Sequence, residues 1–325
     1  MRRSTATIFA LLVFGASAHA APAPAAAPAA KAALTATAPY EAAFAAYQKG
    51  DYATALKLMK PLAEAGNVNA QYNVGAMYNN ALGVVADRTE AAKWYKMAVA
   101  QGNVFAQVDL GMLYEFGSGV PKDYKEAMRL LQLAAAKKNP LAELHIGAMN
   151  DRGLGVPQNY QEAAKWYRIS ADHGNSEAQY NLALMYQSGR SVAKDPKQAA
   201  AWYRKAADQG NASAQLNLGA LYYTGEGVAK DSKEASKWMR MAAQQANGRA
   251  QFNLATMYTE GDGVTQDLPR ALVWFSAAAA TLTGNDAKAA DDNSKAVAAA
   301  MDRDQLAAAK AIAAKCRAGD YKGCD

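Results

Sequence analysis

AQYNLALMYQSGRSVAKDPKQAAAWYRKAADQGN, residues Ala178 to Asn211, is the stretch that decides the fold, because its landmarks return at one fixed interval on both sides. Asp195 near its middle belongs to a column of Asp51, Asp87, Asp123, Asn159, Asp195, Asp231 and Asp267, spaced 36 residues apart without an insertion or deletion. Ala55, Ala91, Ala127, Ala163, Ala199, Ala235 and Ala271 keep the same step. So do Asn67, Asn103, Asn139, Asn175, Asn211 and Asn247, and the valines Val84, Val120, Val156, Val192, Val228 and Val264. Four columns in phase define an internal repeat, the signature of an array rather than of a globular domain.

Each unit reads as two helices. Helix A opens on the Asp column, where Asp87 with Glu90, Asp123 with Glu126, Asn159 with Glu162, Asp195 with Gln198 and Asp231 with Glu234 have the spacing of capping boxes. Pro196 follows Asp195 at the first helical position, where a missing N–H costs nothing. The expected buried face is Ala55, Leu58, Met59 and Leu62 in the first unit and Ala91, Trp94, Tyr95 and Ala98 in the second, one side of a helix. Gly66, Gly102, Gly174 or Gly210 then ends helix A in the left-handed conformation that glycine adopts freely. Helix B opens on the Asn column, buries Ala106, Leu110, Leu113 and Tyr114, and closes in a Gly-x-Gly-Val turn such as Gly117–Val120 or Gly225–Val228. The valine is expected to fill the gap between neighbouring units.

With these columns in place, the units closely resemble the Sel-one-like repeat, a relative of the tetratricopeptide repeat. The resemblance covers Asp51 to Asp267 and implies an all-α fold, a right-handed α-solenoid of helix-turn-helix units. It also implies an adaptor, often exported in bacteria, without naming a ligand. The branch of this family linked to β-lactam binding and hydrolysis carries a cysteine pair in every unit, and the units here carry none.

The flanks complete the organisation. Arg2 and Arg3, the apolar run Ile8–Phe14 and Ala18-His19-Ala20 read residues 1–20 as a cleavable secretory signal, too short to span a bilayer once folded. Residues 21–38, almost all Ala and Pro, read as a flexible linker. Residues 39–50 read as an N-terminal capping helix. Six units follow over 51–266, as 51–86, 87–122, 123–158, 159–194, 195–230 and 231–266. Residues 267–325 read as a seventh helix A and two longer C-terminal capping helices, the second starting at Asp302 with Gln305 as its partner.

No catalytic constellation emerges. The net charge of +6 falls to +4 when the two signal arginines are cut away, too little to argue for nucleic acid. His145 replaces an Asn or Asp in the column Asn73, Asp109, His145, Asn181, Asn217, Asn253, whose expected role is an inter-helix hydrogen bond, with peptide contact the alternative. His173 lies at the end of a helix A and is expected to be exposed. No metal site and no cofactor are expected. Cys316 and Cys324 are expected to form a disulfide stapling the C-terminal end, a redox-active pair being the alternative.

One surface pattern stands out. Lys57, Lys93, Arg129, Lys165 and Lys237 share one helix-A column, and Lys60, Lys96, Arg168, Arg204 and Arg240 share the column three residues on. Stacked from unit to unit they would form a basic stripe, either a site for an acidic partner or a solvated face balanced by Glu90, Glu126, Glu162 and Glu234. The expected function is therefore a non-catalytic protein-interaction scaffold of the bacterial envelope, periplasmic or secreted and regulatory in character. Its partners would be proteins, with no nucleic acid and no stable membrane insertion after cleavage, and the scaffold itself a monomer or weak oligomer. An envelope hydrolase, β-lactamase-like or peptidoglycan-directed, and a secreted host-interacting virulence factor are the alternatives.

Overall fold

The computed structural model describes residues 38–318 and 321–324, so the expected signal and nearly all of the linker lie outside the described residues. The described helices belong to the unit Thr37–Asp325. They number sixteen, and no strand occurs among the described residues.

The A helices are α2 (Tyr52–Glu64), α4 (Arg88–Ala100), α6 (Tyr124–Ala135), α8 (Tyr160–Asp172), α10 (Pro196–Asp208), α12 (Ser232–Ala243) and α14 (Leu268–Thr281). The B helices are α3 (Val68–Asn79), α5 (Val104–Phe116), α7 (Pro140–Arg152), α9 (Ser176–Ser188), α11 (Ala212–Thr224) and α13 (Gly248–Glu260). Before them stands α1 (Ala38–Gln48), and after them α15 (Gly284–Ala299) and α16 (Arg303–Ala318). Helices pack chiefly on their sequence neighbours, with α14 also meeting α16, which is the connectivity of an α-solenoid.

The caps form largely as the side chains dictate, with one change. Asp87 Oδ1 accepts from the Glu90 N–H at 2.9 Å and Asn159 Oδ1 from the Glu162 N–H at 3.0 Å. The reciprocal half of the expected boxes is missing. The cap's own N–H donates instead to the preceding helix B, Asp87 to the Tyr78 carbonyl at 3.0 Å and Asp231 to the Tyr222 carbonyl at 2.8 Å. The tight turn brings that carbonyl to the N–H first, which releases each Glu for a basic neighbour. A reciprocal box does form at α16, where Asp302 N–H donates to Gln305 Oε1 at 3.0 Å and Gln305 N–H to Asp302 Oδ1 at 2.8 Å.

Small residues let the helices approach closely. The Ala55-to-Ala271 column is fully buried, and the aromatic column beside it contains all five tryptophans of the chain, of which Trp94, Trp202, Trp238 and Trp274 are buried. Leu58 holds the same column in the first unit yet is 40% exposed, contrary to the expected buried face. From the second unit on, this position packs against the unit before it, as Trp94 does against Met59 and Val74. The first unit has only α1 ahead of it. The turn after helix B is equally exacting: at Gly227 and Gly263, with φ of 76° and 74°, an added Cβ would come within 2.2 Å of the Pro196 carbonyl oxygen and 2.0 Å of that of Ser232. In the fourth unit the equivalent residue is Ser191, which holds φ 67° all the same.

Candidate functional site

The A helices leave their outward side open, since the opposite side is consumed by packing. Lys57, Lys93, Arg129, Lys165 and Lys237 are all exposed there, one per unit, because the rigid step repeats them at the same place on each helix. Where a Glu precedes by three residues it pairs with the cation: Lys93–Glu90 at 2.7 Å, Arg129–Glu126 at 2.7 Å, Lys165–Glu162 at 2.9 Å and Lys237–Glu234 at 3.3 Å. The hydrogen bond to Glu90 raises the Lys93 ammonium above its ordinary range, and that to Arg129 lowers the Glu126 carboxyl. Before Lys57 the acid's place is taken by Thr54.

The second basic column divides. Lys60 and Lys96 are exposed, Lys96 with its Nζ 5.7 Å from the centre of the Tyr114 ring. Arg168, Arg204 and Arg240 are half-buried. Arg168 donates to the Tyr186 hydroxyl and lies 4.9 Å from the Trp202 ring centre. Arg204 donates to the Tyr222 hydroxyl and lies 5.2 Å from the Trp238 ring centre, and Arg240 donates to the Tyr258 hydroxyl at 2.9 Å. Two of these three thus join their own unit's helix B to the next unit's tryptophan. They act as inter-repeat clamps, in which a weakly hydrated planar cation stacks on an aromatic face. The stripe that remains open is the Lys57 column with Lys60 and Lys96.

The Asn column ties helices together. Asn73 Nδ2 donates to the Tyr40 hydroxyl at 2.8 Å and Asn217 Nδ2 to that of Tyr203 at 3.1 Å. His145 Nδ1 lies 2.8 Å from the buried Glu115. Asp109 is set against the seam of Tyr72 and Tyr95, where burial pushes its carboxyl up to about 6 against the pull of those two hydroxyls.

A second polar column went unread in the sequence. Gln71, Gln107, Glu143, Gln179, Gln215 and Gln251 are all buried on the B helices. Gln215 Nε2 donates to the Ala207 carbonyl at 3.1 Å, capping the end of α10, and its Oε1 accepts from Gln245 Nε2 at 2.8 Å. Gln179 and Gln71 make the same bonds with Gln209 and Gln101. Between the third and fourth units both partners change at once: Glu143 meets His173 Nδ1 at 2.8 Å. His173 is exposed as a residue, and its ring still reaches inward to that acid. The recurrence every 36 residues was the available signal.

At the C-terminal end Cys316 and Cys324 are buried and lie at disulfide distance, Cα–Cα 4.4 Å. Tyr321 between them stacks on Trp274 with ring centres 6.4 Å apart. Among the described residues no group of His, Cys, Asp and Glu could hold a metal ion, and no helix is long and apolar enough to cross a membrane.

Stacked helix pairs with a one-dimensional core and one repeated outward face define a repeat scaffold, an α-solenoid. The Sel1 repeat profile matches residues 68–103, 104–139, 140–175, 176–211, 212–247 and 248–280, each match running from a helix B into the next helix A. The chain belongs to the Sel1 repeat family. The crystal structure of a Sel1 repeat protein from Oxalobacter formigenes is similar at 33% identity, with TM-score 0.67, covering 79% of this chain and 98% of that one. A protective antigen present in uropathogenic Escherichia coli strains, displaying an SLR fold, is similar at 30% identity, with TM-score 0.52, covering 88% of this chain and 69% of that one. No curated protein matches the chain. Proteins of this family generally serve as protein-interaction scaffolds.

Proposed function

We propose that this chain is an extracytoplasmic, non-catalytic scaffold of the bacterial envelope that grips an acidic protein through the outward face of its A helices. The observation that carries the reading is the column Lys57, Lys93, Arg129, Lys165 and Lys237, exposed at one place on five helices. The pairs these cations make with Glu are solvent-exposed and weak, each about 0.3–0.5 kcal/mol, so an incoming carboxylate displaces them at little cost. Export is supported by the basic start at Arg2 and Arg3, the apolar run after it and the Ala18-His19-Ala20 motif. It is supported further by Cys316 and Cys324 at disulfide distance, since such pairs persist in oxidising compartments.

The test is photo-crosslinking in cells with the probe placed at Lys93 or Lys165, against a control at the exposed Glu177 on the B side. The expected result is one partner captured from the A side alone, and lost when Lys57, Lys60, Lys93 and Lys96 are changed to Glu. Capture that is equal from both sides, or insensitive to the charge reversal, removes this face from the function. Retention of the chain in the cytosolic fraction removes the envelope assignment.

A further inference from the structure

Four residues after each member of the Lys57 column comes a column of Pro61, Met97, Leu133, Ile169, Lys205 and Met241. That spacing is one helical turn, so each A helix presents a cation and its neighbour from this column side by side. The apolar members stay open to solvent: Met97 is 41% exposed, Leu133 43%, Ile169 39% and Met241 37%. Seven large apolar side chains are exposed among the described residues, and these are four of them. Single exposed apolar residues need no explanation, but the same position left open on helix after helix does.

The fifth unit shows that packing does not require the arrangement. In α10 the two columns are exchanged: Ala201 stands at the cation position and Lys205 at the apolar one, with its Nζ 3.8 Å from the Trp202 ring centre. The helix keeps its place in the solenoid with the surface pattern inverted. The double stripe therefore runs unbroken over α2, α4, α6 and α8, stops at α10, and resumes only with Lys237 and Met241 on α12.

Resting on the reading of this face as the partner site, we infer that α2 to α8 bind an amphipathic acidic peptide segment. Its carboxylates meet Lys57, Lys93, Arg129 and Lys165, and its apolar side chains cover Pro61, Met97, Leu133 and Ile169. Charge complementarity selects an acidic occupant. The apolar column selects against a bare polyanion, which would use the cations and leave those side chains wet. The apolar groups stand little more than a third exposed between long flexible cations, within reach of a peptide side chain and too recessed to insert into a bilayer.

The experiment uses the full chain after signal removal and three probes: a labelled peptide of Glu-Glu-Leu-Leu repeats, a matched peptide of Glu-Glu-Ser-Ser repeats, and vesicles containing phosphatidylglycerol. The Leu peptide offers both groups on each face of an extended chain. It is expected to bind on the order of tenfold tighter than the Ser peptide, the worth of a few apolar groups removed from water. The triple variant Met97→Ser, Leu133→Ser, Ile169→Ser should abolish that preference, leave binding of the Ser peptide as it was, and unfold at the wild-type temperature. Met241→Ser should change nothing. Equal affinity for the two peptides, or an unaltered preference in the triple variant, overturns the amphipathic occupant while leaving the cationic face standing. Failure of both peptides to bind the wild-type chain overturns the cationic reading with it. Vesicle binding that disappears in the triple variant, without peptide binding, makes the face a membrane surface and overturns the proposal.

Discussion

Asp109 puts a carboxyl where the same column holds Asn73, Asn181, Asn217 and Asn253, so Asp109→Asn gives back the residue the repeat uses most often. The carboxyl lies against Tyr72 of α3 and Tyr95 of α4, and burial raises it to about 6 from an ordinary 3.8. A raised acid binds its proton more tightly in the folded chain than in the unfolded one. Its contribution to stability is thus most favourable below the unfolded value and falls as pH rises through the folded value. A gap of about two pKa units corresponds to about 3 kcal/mol lost by neutral pH. Asp109 keeps an edge open to water, and solvent relaxation there brings the expected penalty to about 1–2 kcal/mol. Asparagine matches the size, carries no charge, and donates to a tyrosine hydroxyl elsewhere in the column, as Asn217 does to Tyr203 at 3.1 Å. Urea unfolding of wild type and variant across pH, with amide exchange on α4 and α5, measures the difference locally, because an array need not unfold as one unit. The variant should be more stable by about 1–2 kcal/mol near pH 7.5, with the gain vanishing near pH 4. A variant less stable near neutral pH, or a gain that does not vary with pH, would refute the argument and show that the hydroxyl contacts outweigh desolvation.

Other substitutions probe the scaffold. Ser191→Gly, at φ 67°, and Ala246→Gly, at φ 59°, should each stabilise by about 1 kcal/mol in thermal unfolding, since both hold a left-handed backbone where other units have glycine. Gln215→Leu should cost about 1 kcal/mol, because it removes the side-chain bonds to the Ala207 carbonyl and from Gln245, and amide exchange at the end of α10 should quicken first. Arg204→Ala should cost about 1–2 kcal/mol in urea unfolding by removing the contact with Tyr222 and Trp238, whereas Lys165→Ala, in an exposed pair, should stay within about 0.5 kcal/mol.

The period, the two helices per unit and the capping side chains were readable in the sequence, because each depends on residues within a few positions of one another. Where the reading failed, the deciding partner was remote in the chain. Asp87 and Glu90 have a capping-box spacing, but the Tyr78 carbonyl reaches the Asp87 N–H first. Leu58 has the spacing of a core residue, and only the absence of a preceding repeat unit leaves it exposed. Arg168 looks like one more member of a charged stripe until the next unit brings Trp202 against it. The buried glutamines were visible as a column, yet a glutamine on a helix reads as solvent-facing until the carbonyl it caps is in place. The open column at Met97 was masked by the opposite habit, since an apolar residue on an amphipathic helix is assigned to the core by its type.

These departures separate scaffold from function when they are compared pairwise. Between the third and fourth units Glu143 and His173 replace a glutamine pair, and the exchange preserves a buried donor and acceptor 2.8 Å apart. Glu143 thereby keeps a partner beneath the surface. In the fifth unit Ala201 and Lys205 exchange the cation and apolar columns at two exposed positions: Lys205 lies over the Trp202 ring, and the core beneath keeps Trp202, Tyr203 and Ala206. A compensated change inside the array is explained by folding. A change at exposed positions of its outer face, which leaves the core residues as they were, bears on whatever that face touches. On the proposed reading of that face, α10 marks where the contact surface ends or turns, and the four units before it are the ones proposed to carry the contact.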